Sequence, residues 1–525
     1  MGLTLALLMA NRGHSVAVYE RWGARFPLPR AVGISHDSLR TYQSAGVLSA
    51  LEPFLDPTPR EMTAEFFRPD GEVLLYQTTN GRAESGFVAM TAFHQPEFEG
   101  VLEACCTDHP LITVHRGWEA RSFVQHDDVV EVSLHPVDGD KPRPGQVEKA
   151  RARFVIGCDG ANSSVRSQMA VSVTDTGFSE SWLVVDLAVG RELFDGIKIG
   201  QCLDPTRPTT LVPSGPGRRR FEFMLLPGES HEEISAEASV WSLLERWQVT
   251  SANAELVRQA VYTFRGTWAD TWRDGRVLLA GDAAHQMPPF IAQGFNSGIR
   301  DAVALAWRLD LVLAGKAPAE ILDTYGSERL PHVQEIINQA IDFGRLICVT
   351  DPEAAEARDS MLRDMLRENP DLGRTPLPTW RLGPGIRMPD DPGAGTLAIQ
   401  NRVEGPDGRK GLFDDLAGAG HFVLLGNGCD PEQGLSEEAR SIWAELGGIS
   451  ATIGQGGYHD IGGVYTEWFE QLSAAVVLVR PDFYIYGASA DASGADTMIR
   501  TLGVQLQLNT PGGDRGSDRE EPAIG

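Results

Sequence analysis

The chain has few cysteines and no long apolar run. Its six cysteines among 525 residues include no Cys-x-x-Cys pair and no cluster with histidine, so the sequence signals neither a metal site nor a redox dithiol. No apolar stretch approaches the roughly 20 residues of a membrane-spanning helix. Scattered cysteines with mostly apolar neighbours suit a reducing cytoplasm. We therefore predict a cytoplasmic protein with no bound metal and no membrane partner.

Basic residues are outnumbered by acidic ones. Lys and Arg total 46 against 72 Asp and Glu, which gives a formal net charge of -26. Because contacts with a phosphate backbone need a basic face, this balance argues against nucleic acid as a partner. The hydrophobic content of 42% and the charged content of 22% are those of an ordinary globular protein. A chain of this length exceeds one core, so we predict two to four domains.

The first residues resemble the second half of a βαβ unit. MGLTLALLMA lacks a basic start, so it predicts a helix over 2–11 rather than a signal peptide. A strand over 15–19 follows, and Glu20 closes it. Gly2 stands where the third glycine of G-x-G-x-x-G belongs, and Glu20 stands where such folds bind the adenosine ribose. The first strand and the first two glycines are absent from this sequence.

The absent strand determines what we expect of the start of the chain. In a parallel sheet this strand is buried on both faces, and a dinucleotide-binding fold could hardly dispense with it. We expect Met1 to be an internal GTG valine codon taken as an initiator, with about a dozen residues of strand and Gly-x-Gly-Pro turn upstream. In the alternative, the chain begins at Met1, and whether it binds a dinucleotide stays open.

A strand-to-helix segment in the middle of the chain is the most informative one. Residues 276–301 read RVLLAGDAAHQMPPFIAQGFNSGIRD, an apolar strand followed by Gly-Asp, a rigid Pro-Pro turn and an amphipathic helix. An acidic residue at a strand's C-terminal end, beside a helix N-terminus, marks the ligand-binding edge of an open α/β sheet. Such a carboxylate can accept hydrogen bonds from ribityl or ribose hydroxyls. The residues predicted to line this edge are Gly281, Asp282, Pro288, Pro289, Gly294 and Asn296.

A second segment ends in the same way. Residues 153–166 read RFVIGCDGANSSVR, in which an apolar strand leads to Asp159 and Gly160. Alone, Asp-Gly after a strand is a common turn. Two such motifs in this order favour a shared ligand site instead.

Both segments resemble the FAD-contact motifs of the single-component FAD-dependent aromatic hydroxylases, the group A flavoprotein monooxygenases. PRAVGI, RRFEFMLLPGE, VYTF and DTYGSER are also similar to that family, and the resemblance extends over nearly the whole chain. Within that family, the chain resembles in particular the 3-(3-hydroxyphenyl)propionate and 3-hydroxycinnamate hydroxylases. The resemblance implies FAD as cofactor and NAD(P)H as co-substrate. It implies contacts to FAD from Gly2, Glu20, Arg21, Arg30, Gln95, Asp159, Gly160, Gly281, Asp282, Gly294 and Asn296.

Two of these residues have simpler interpretations as well. Arg30 would contact the FAD pyrophosphate, but a loop arginine can also be a solvated charge. Gln95 would reach the flavin, but it also precedes Pro96 at a predicted helix start, where it can serve as a cap.

The family reaction implies that NAD(P)H reduces FAD and that O2 is captured as a flavin hydroperoxide, whose distal hydroxyl passes to a phenol ring. The cofactor carries this chemistry, so few acid–base residues are needed. Pro288 and Pro289 would line the flavin face. His285 and His36 are candidate acid–base groups, although a structural histidine is the favoured interpretation of His285.

Substrate contacts are less sharply indicated. Tyr262 and Arg207 are candidates to meet a phenol or a carboxylate. The run Arg218–Arg220 is interpreted as a solvated turn before a strand. Ala292 replaces a family glycine, and alanine tolerates positive φ at a cost of roughly 1 kcal/mol or more.

We predict an α/β fold with three globular units. A Rossmann-like FAD-binding domain is built from discontinuous segments, and a mixed-sheet substrate domain is interleaved with it. A C-terminal thioredoxin-like domain follows; since Cys429 has no second thiol nearby, its role is interpreted as structural or oligomerising, for example in a homodimer. The bounds are 1–56, 94–175 and 263–349 (FAD); 57–93 and 176–262 (substrate); 350–395 (linker with little regular structure); 396–508 (C-terminal domain); and 509–525 (disordered tail).

The predicted function is hydroxylation of 3-(3-hydroxyphenyl)propionate or 3-hydroxycinnamate with O2. One alternative within the class is another phenol, chlorinated or of polyketide origin, because one architecture serves many substrates. An alternative from a different class is a non-catalytic flavoprotein relative.

Overall fold

The structure is a computed structural model that describes residues 1–56, 62–79, 83–138, 141–374 and 380–508. Its helices are α1 Gly2–Ala10, α2 His36–Ser44, α3 Leu48–Leu51, α4 Gln95–Asp108, α5 Ser164–Met169, α6 Arg191–Gly196, α7 His231–Ile234, α8 Glu237–Glu245, α9 Gly294–Leu313, α10 Asp323–Ile347, α11 Pro352–Glu368, α12 Phe413–Ala417, α13 Glu437–Leu446, α14 Val464–Gln471 and α15 Gly494–Gln505. None of the helices in these ranges is long and apolar enough to cross a membrane.

The strands are β1 Val16–Glu20, β2 Gly33–Ser35, β3 Met62–Phe67, β4 Val73–Thr79, β5 Met90–Ala92, β6 Ile112–Arg116, β7 Trp118–Gln125, β8 Val130–Asp138, β9 Lys141–Pro142, β10 Glu148–Ala152, β11 Val155–Gly157, β12 Val173–Val189, β13 Gly200–Cys202, β14 Thr209–Pro213, β15 Arg218–Met224, β16 Ala254–Ala269, β17 Arg273–Asp274, β18 Val277–Leu279, β19 His285–Gln286, β20 Arg402–Glu404, β21 Lys410–Leu412, β22 Val423–Asn427, β23 Ile449–Ile453, β24 His459–Asp460, β25 Val476–Val479 and β26 Ile485–Ser489.

The FAD-binding unit contains two short parallel ladders. β1 pairs with β6, and β11 pairs with β18, which also pairs antiparallel with β17. The predicted parallel sheet thus occurs as two separate pieces. Helix α1 is apolar along most of its length, is buried from Thr4 to Ala10, and packs chiefly against α9 and α4.

An eight-stranded mixed sheet forms the substrate unit, in the order β19-β16-β12-β15-β14-β13-β3-β4. Because side chains alternate along a strand, it has two different faces. Leu183, Val185 and Leu187 of β12 pack outward against Leu244 of α8. Trp182 points inward, where its ring lies 5.6 Å from the ring of Phe290 in the FAD-binding unit. We call this second side the inner face.

The C-terminal unit has a four-stranded sheet, β23-β22-β25-β26, with α13 and α15 packed against each other. It joins the FAD-binding unit through a buried ionic cluster. Glu328 of α10 accepts hydrogen bonds from Arg308 of α9 (2.5 Å) and from Arg480 (2.7 Å), and Asp482 accepts one from Trp307 (2.9 Å). All these groups are almost fully buried.

The prediction that residues 350–395 form a linker with little regular structure was wrong. Helix α11 occupies 17 residues of the range that was expected to have little regular structure. Asp351 caps it by accepting the N–H of Ala354 (2.8 Å), and Pro352 suits the first turn. Its buried Leu362 packs in an apolar cluster with the substrate sheet, and this contact was not visible in the charged composition. The predicted disordered tail 509–525 lies outside the described residues.

The prediction for the arginine run was also wrong. Arg218–Arg220 is not a solvated turn but the first part of β15, in which Arg219 and Arg220 are 2% and 4% exposed. Arg219 points to the outer face and donates to the carbonyls of Phe194 and Ile197. Arg220 points inward and forms a two-pronged pair with Asp186 at 2.7 and 3.0 Å. Each cation is therefore buried with its own acceptors, which tertiary structure alone supplies.

We expect the substitution Glu328→Gln to destabilise the chain by about 3–5 kcal/mol, because it leaves the two buried arginines, Arg308 and Arg480, with the single carboxylate of Asp482. Burial alone would raise the pKa of Glu328, but Arg308 and Arg480 hold it below its ordinary value. Its contribution is therefore present above the pKa of an unfolded carboxyl and is lost as the pH falls through the lowered value. Urea unfolding followed by tryptophan fluorescence measures the effect. The matched control is Asp407→Asn, which breaks the exposed pair with Arg409 and leaves the midpoint unchanged. Equal midpoints for both variants would contradict the role of the cluster.

Candidate functional site

The turn that contains Asp159 and Gly160 and the turn that contains Gly281 and Asp282 lie next to each other at one edge of a sheet. β11 and β18 are parallel neighbours, so the turns that follow them lie side by side, and Ala280 N donates to Gly157 O (3.0 Å). Gly160 and Gly281 both have positive φ, at 81° and 62°, a conformation that favours glycine. Arg166 links the two turns by donating to Ala283 O and to Ala161 O, each at 2.7 Å.

Two helix N-termini point at this edge. Met1, which precedes α1, packs against Gly281 and Gly298, and a Cβ added at Gly298 would lie 2.5 Å from Met1 Cε. Neither α1 nor α9 has a side chain that caps its first turn. Open N–H groups and the positive end of the helix dipole suit an anion such as a pyrophosphate.

Asp282 lies in an open cleft. Its side chain is exposed to solvent, yet the dense protein around it raises its pKa, against the opposing charges of His285 and Arg30. A carboxylate that is surrounded by protein and still reachable is suited to accept hydrogen bonds from ligand hydroxyls. With the open N–H groups nearby, these residues fit FAD.

The buried side chain of Asp301 fixes the backbone of the turn that begins at Gly281. Its carboxylate accepts the N–H of Gly281 (2.9 Å) and Nε of Arg329 (2.9 Å), and it lies 2.7 Å from His285 Nε2. Burial alone would raise the pKa of Asp301, but His285 and Arg329 hold it below its ordinary value. His285 is 2% exposed and packs on Trp272, so the structure places it within this buried network.

The loop between Pro288 and Asn296 is also held in place. Ala292 has φ +54°, which is the left-handed geometry expected of the glycine it replaces. Asn296 donates to Ala292 O (2.8 Å) and accepts from Ser35 N (2.9 Å). Arg300 donates to Gln293 Oε1 (2.8 Å), so the loop is tied both to its own helix and to α2.

Several predicted cofactor residues make hydrogen bonds within or between loops. Gln95 Oε1 accepts the N–H groups of Arg30 (2.9 Å) and Ala31 (2.7 Å), so it braces the arginine loop. Asp159 accepts from Val165 N (3.1 Å) and from hydroxyls of its own turn. Glu20 accepts from Trp22 N (2.9 Å).

Three further predicted residues lie elsewhere. Arg21 pairs with Glu119 at 3.4 Å. His36 lies 3.5 Å from Glu84, and burial lowers its pKa. Arg207 is paired with Glu229 at 2.5 Å.

The inner face of the substrate sheet carries three rows of side chains in register. The arginine row contains Arg220, Asp186 and Arg258; the small row contains Thr210, Glu222, Val184 and Ala260; the aromatic row contains Met224, Trp182 and Tyr262. Arg220 and Arg258 both donate to Pro29 O, so the arginine row touches the loop that contains Arg30. Phe290 covers the other end, beyond the aromatic row. The predicted substrate residue Tyr262 accepts a hydrogen bond from Arg258.

Sequence reasoning missed the residues that hold the site together. They are Arg166, Asp186, Arg220, Arg258, Arg300 and Asp301. Sequence reasoning also missed Glu222, which accepts no side-chain hydrogen bond from the described residues. A period-2 interpretation of RRRFEFM would have placed Arg220 and Glu222 on one face of a strand. No comparable signal pairs Asp301 with Arg329.

A cavity of about 390 Å³ opens beside Phe290, lined by Thr176, Gly177, Phe178, Ser179, Glu180, Arg345 and Cys348. None of the predicted cofactor residues lines it. It therefore borders the aromatic end of the inner face rather than the cofactor cleft.

Two family models match the chain. One, described as an FAD binding domain, matches residues 1–340, and another, described as the HcaD C-terminal domain, matches residues 395–504.

Curated relatives span nearly the full chain. A protein of Rhodococcus jostii (strain RHA1) named as a probable NADH-specific resorcinol 4-hydroxylase is 37% identical over 510 residues, covering 95% of this chain and 92% of its own. The 3-(3-hydroxy-phenyl)propionate/3-hydroxycinnamic acid hydroxylase of Escherichia coli (strain K12) is 31% identical over 538 residues, covering 98% and 94%.

Solved structures share the fold. The flavin-dependent monooxygenase PieE, in complex with FAD and substrate, superposes with a TM-score of 0.78 at 20% identity, over 96% of this chain and 97% of that one. Aklavinone-11 hydroxylase, with FAD and aklavinone, gives 0.73 at 23% identity and the same coverage.

We expect Asp282→Asn to weaken FAD binding about 10- to 100-fold, because a hydrogen bond to a charged group contributes about 1.5–3 kcal/mol. Fluorescence titration of the apoprotein with FAD measures the dissociation constant. Asp270→Asn is the control. This exposed carboxylate is not a predicted cofactor residue, and among the described residues its side chain accepts hydrogen bonds from Ser172 and Thr174. Unchanged FAD affinity in the Asp282 variant would remove this residue from the site.

We expect Ala292→Gly to leave the chain as stable as before or slightly more stable. Glycine removes roughly 1 kcal/mol of left-handed strain, which offsets its greater freedom in the unfolded chain. Ala357→Gly, in the exposed part of α11, should instead cost about 0.5–1 kcal/mol. Thermal unfolding midpoints compare the two, and equal losses would show that Ala292 is not strained.

Proposed function

This chain belongs to the family of FAD-dependent aromatic hydroxylases, and we propose that it hydroxylates a small neutral phenol, with resorcinol as the first substrate to test. NADH is the proposed electron donor and O2 the oxidant. The resorcinol 4-hydroxylase relative supports both the substrate class and the donor. We choose a neutral phenol because every arginine on the described inner face already has an ionic partner.

Three arginines point to this face, and each one already has acceptors. Arg220 is bound by Asp186 and by the carbonyls of residues 29–30, while Arg258 donates to Pro29 O and Tyr262. Arg218 donates to Pro216 O (3.2 Å) and lies 3.4 Å from Glu97. The Nε of Arg258 has no acceptor, but its guanidinium lies 3.4 Å from Asp186, which Arg220 also binds. A substrate carboxylate would therefore find no cation without an ionic partner here.

The same face already carries negative charge. Asp186 and Glu222 are 3% and 6% exposed, so a third carboxylate beside them would be desolvated without a counter-charge. A neutral ring avoids this cost. Trp182 and Tyr262 offer the apolar surface that such a ring needs.

FAD, when bound, supplies the oxygen chemistry. The chain's own residues have other tasks: Asp282 accepts hydrogen bonds from cofactor hydroxyls, and the open N–H groups of α1 and α9 receive the pyrophosphate. The loop from Pro288 to Ala292 closes over the inner face, and Phe290 helps to exclude water there.

A second candidate is 3-(3-hydroxyphenyl)propionate. Its support is the relative of that name and the position of Arg345, an exposed cation at the cavity beside Phe290 whose described ionic partner is Asp342 of the same helix. A propionate side chain that reached this cavity would meet Arg345.

Location and assembly complete the proposal. NADH as donor and six cysteines without disulfides support a cytoplasmic protein. A homodimer is the proposed assembly, and light scattering of the purified protein tests it.

We expect resorcinol to stimulate NADH oxidation by the FAD-loaded protein with one equivalent of hydroxylated product, and to have the higher kcat/KM of the two phenols. Hydrogen peroxide is measured in parallel, because peroxide formed without hydroxylated product shows that NADH oxidation is uncoupled from hydroxylation. A higher kcat/KM for 3-(3-hydroxyphenyl)propionate would replace resorcinol by the second candidate. If neither phenol stimulates NADH oxidation by the FAD-loaded protein, the proposed function is contradicted.

A further inference from the structure

Glu222 is a buried carboxyl that accepts no side-chain hydrogen bond from any residue in the described ranges. Its side chain is 9% exposed, and the nearest cation, Arg220, lies 3.8 Å away while donating to Asp186 and to the loop at 29–30. Buried carboxyls ordinarily accept hydrogen bonds. An open one therefore marks a place where a ligand supplies the donor.

The side chains beside Glu222 in the small row are short. Thr210, Val184 and Ala260 share its row and are all smaller than the arginines and aromatics of the rows beside it. Val184 is buried, yet it packs into none of the apolar clusters formed by the described residues.

The small row also lies between two segments of the FAD-binding unit. Arg220, on one side, binds the loop at 29–30, and Trp182, on the other, packs on Phe290. Along β15 these two rows are about 14 Å apart, since they are separated by four residues and each residue advances about 3.4 Å. A ring placed over Glu222 would therefore lie between the two loops.

Thr210 does not donate to Glu222. Its hydroxyl donates to Gln201 Oε1 at 2.6 Å, so these two neighbours satisfy each other. Glu222 remains the open acceptor of the row. Burial raises its pKa, with Asp186 acting in the same direction and Arg220 and Arg258 against it.

We propose that Glu222 binds the substrate: its carboxylate accepts a hydrogen bond from a hydroxyl of the phenol, and its charge disfavours phenols that bring a carboxylate to the same place. This inference rests on the proposed function and deepens it. It makes Glu222 a determinant of the preference for dihydroxybenzenes over phenolic acids.

The test compares the FAD-loaded wild type with Glu222→Gln. Calorimetry measures the binding of resorcinol and of 3-(3-hydroxyphenyl)propionate, and steady-state kinetics separate KM from kcat. We expect the variant to bind resorcinol about 10- to 100-fold more weakly, because a charge-assisted hydrogen bond is lost. The phenolic acid should bind at least as tightly as in the wild type, so the ratio of the two affinities shifts. Glu255→Gln, at the exposed start of β16, is the control and should leave both affinities unchanged.

A second variant guards against a general defect. Glu222→Asp keeps the charge but withdraws it by one methylene, so it should weaken resorcinol binding while still disfavouring the phenolic acid. A loss of both phenols in equal proportion, or resorcinol affinity equal to that of the wild type in Glu222→Gln, would overturn the role of Glu222 alone. A wild-type protein that neither binds nor hydroxylates a phenol would overturn the proposed function and this inference with it.

Discussion

The buried carboxylate of Asp301 is the contact on which the candidate site depends. It joins three elements, because it belongs to α9, accepts from Gly281 in the turn after β18, and accepts from Arg329 of α10. Without it, the N–H of Gly281 would lack an acceptor and the fully buried Arg329 would lose its counter-charge, at a cost of several kcal/mol. Asp282 can project into the cleft because the residue before it is fixed from behind.

Buried ion pairs between distant segments recur throughout the chain. Asp37 binds Arg300, Asp186 binds Arg220, and Glu328 binds Arg480, in each case with both groups buried. Such pairs are weak evidence for stability, because desolvation opposes the attraction. They do fix geometry, since a buried arginine tolerates few alternative partners. The C-terminal unit therefore braces α9 and α10, the helices that hold the cofactor edge, although its own sheet contributes none of the predicted cofactor residues.

Local sequence signals predicted much of this architecture. The apolar strands before Asp159 and Asp282 indicated the cleft because strands, turns and helix starts depend on residues close in sequence. The family, the fold class and FAD as cofactor are confirmed by the matches to the chain. The predictions for 350–395 and for Arg218–Arg220 were wrong, since a charged sequence reveals its burial only through partners far along the chain. The roles of individual site residues stay predictions.

The sequence by itself determined the family and predicted the cofactor edge and the position of Ala292, where a left-handed turn requires the geometry of a glycine. Tertiary structure alone decided what faces the proposed substrate. Arg220 and Glu222 stand two residues apart on one strand, yet the first is consumed by Asp186 and a loop carbonyl, and the second is left open. That difference arises from partners 34 and about 190 residues away, because electrostatic pairing acts through space and not along the chain.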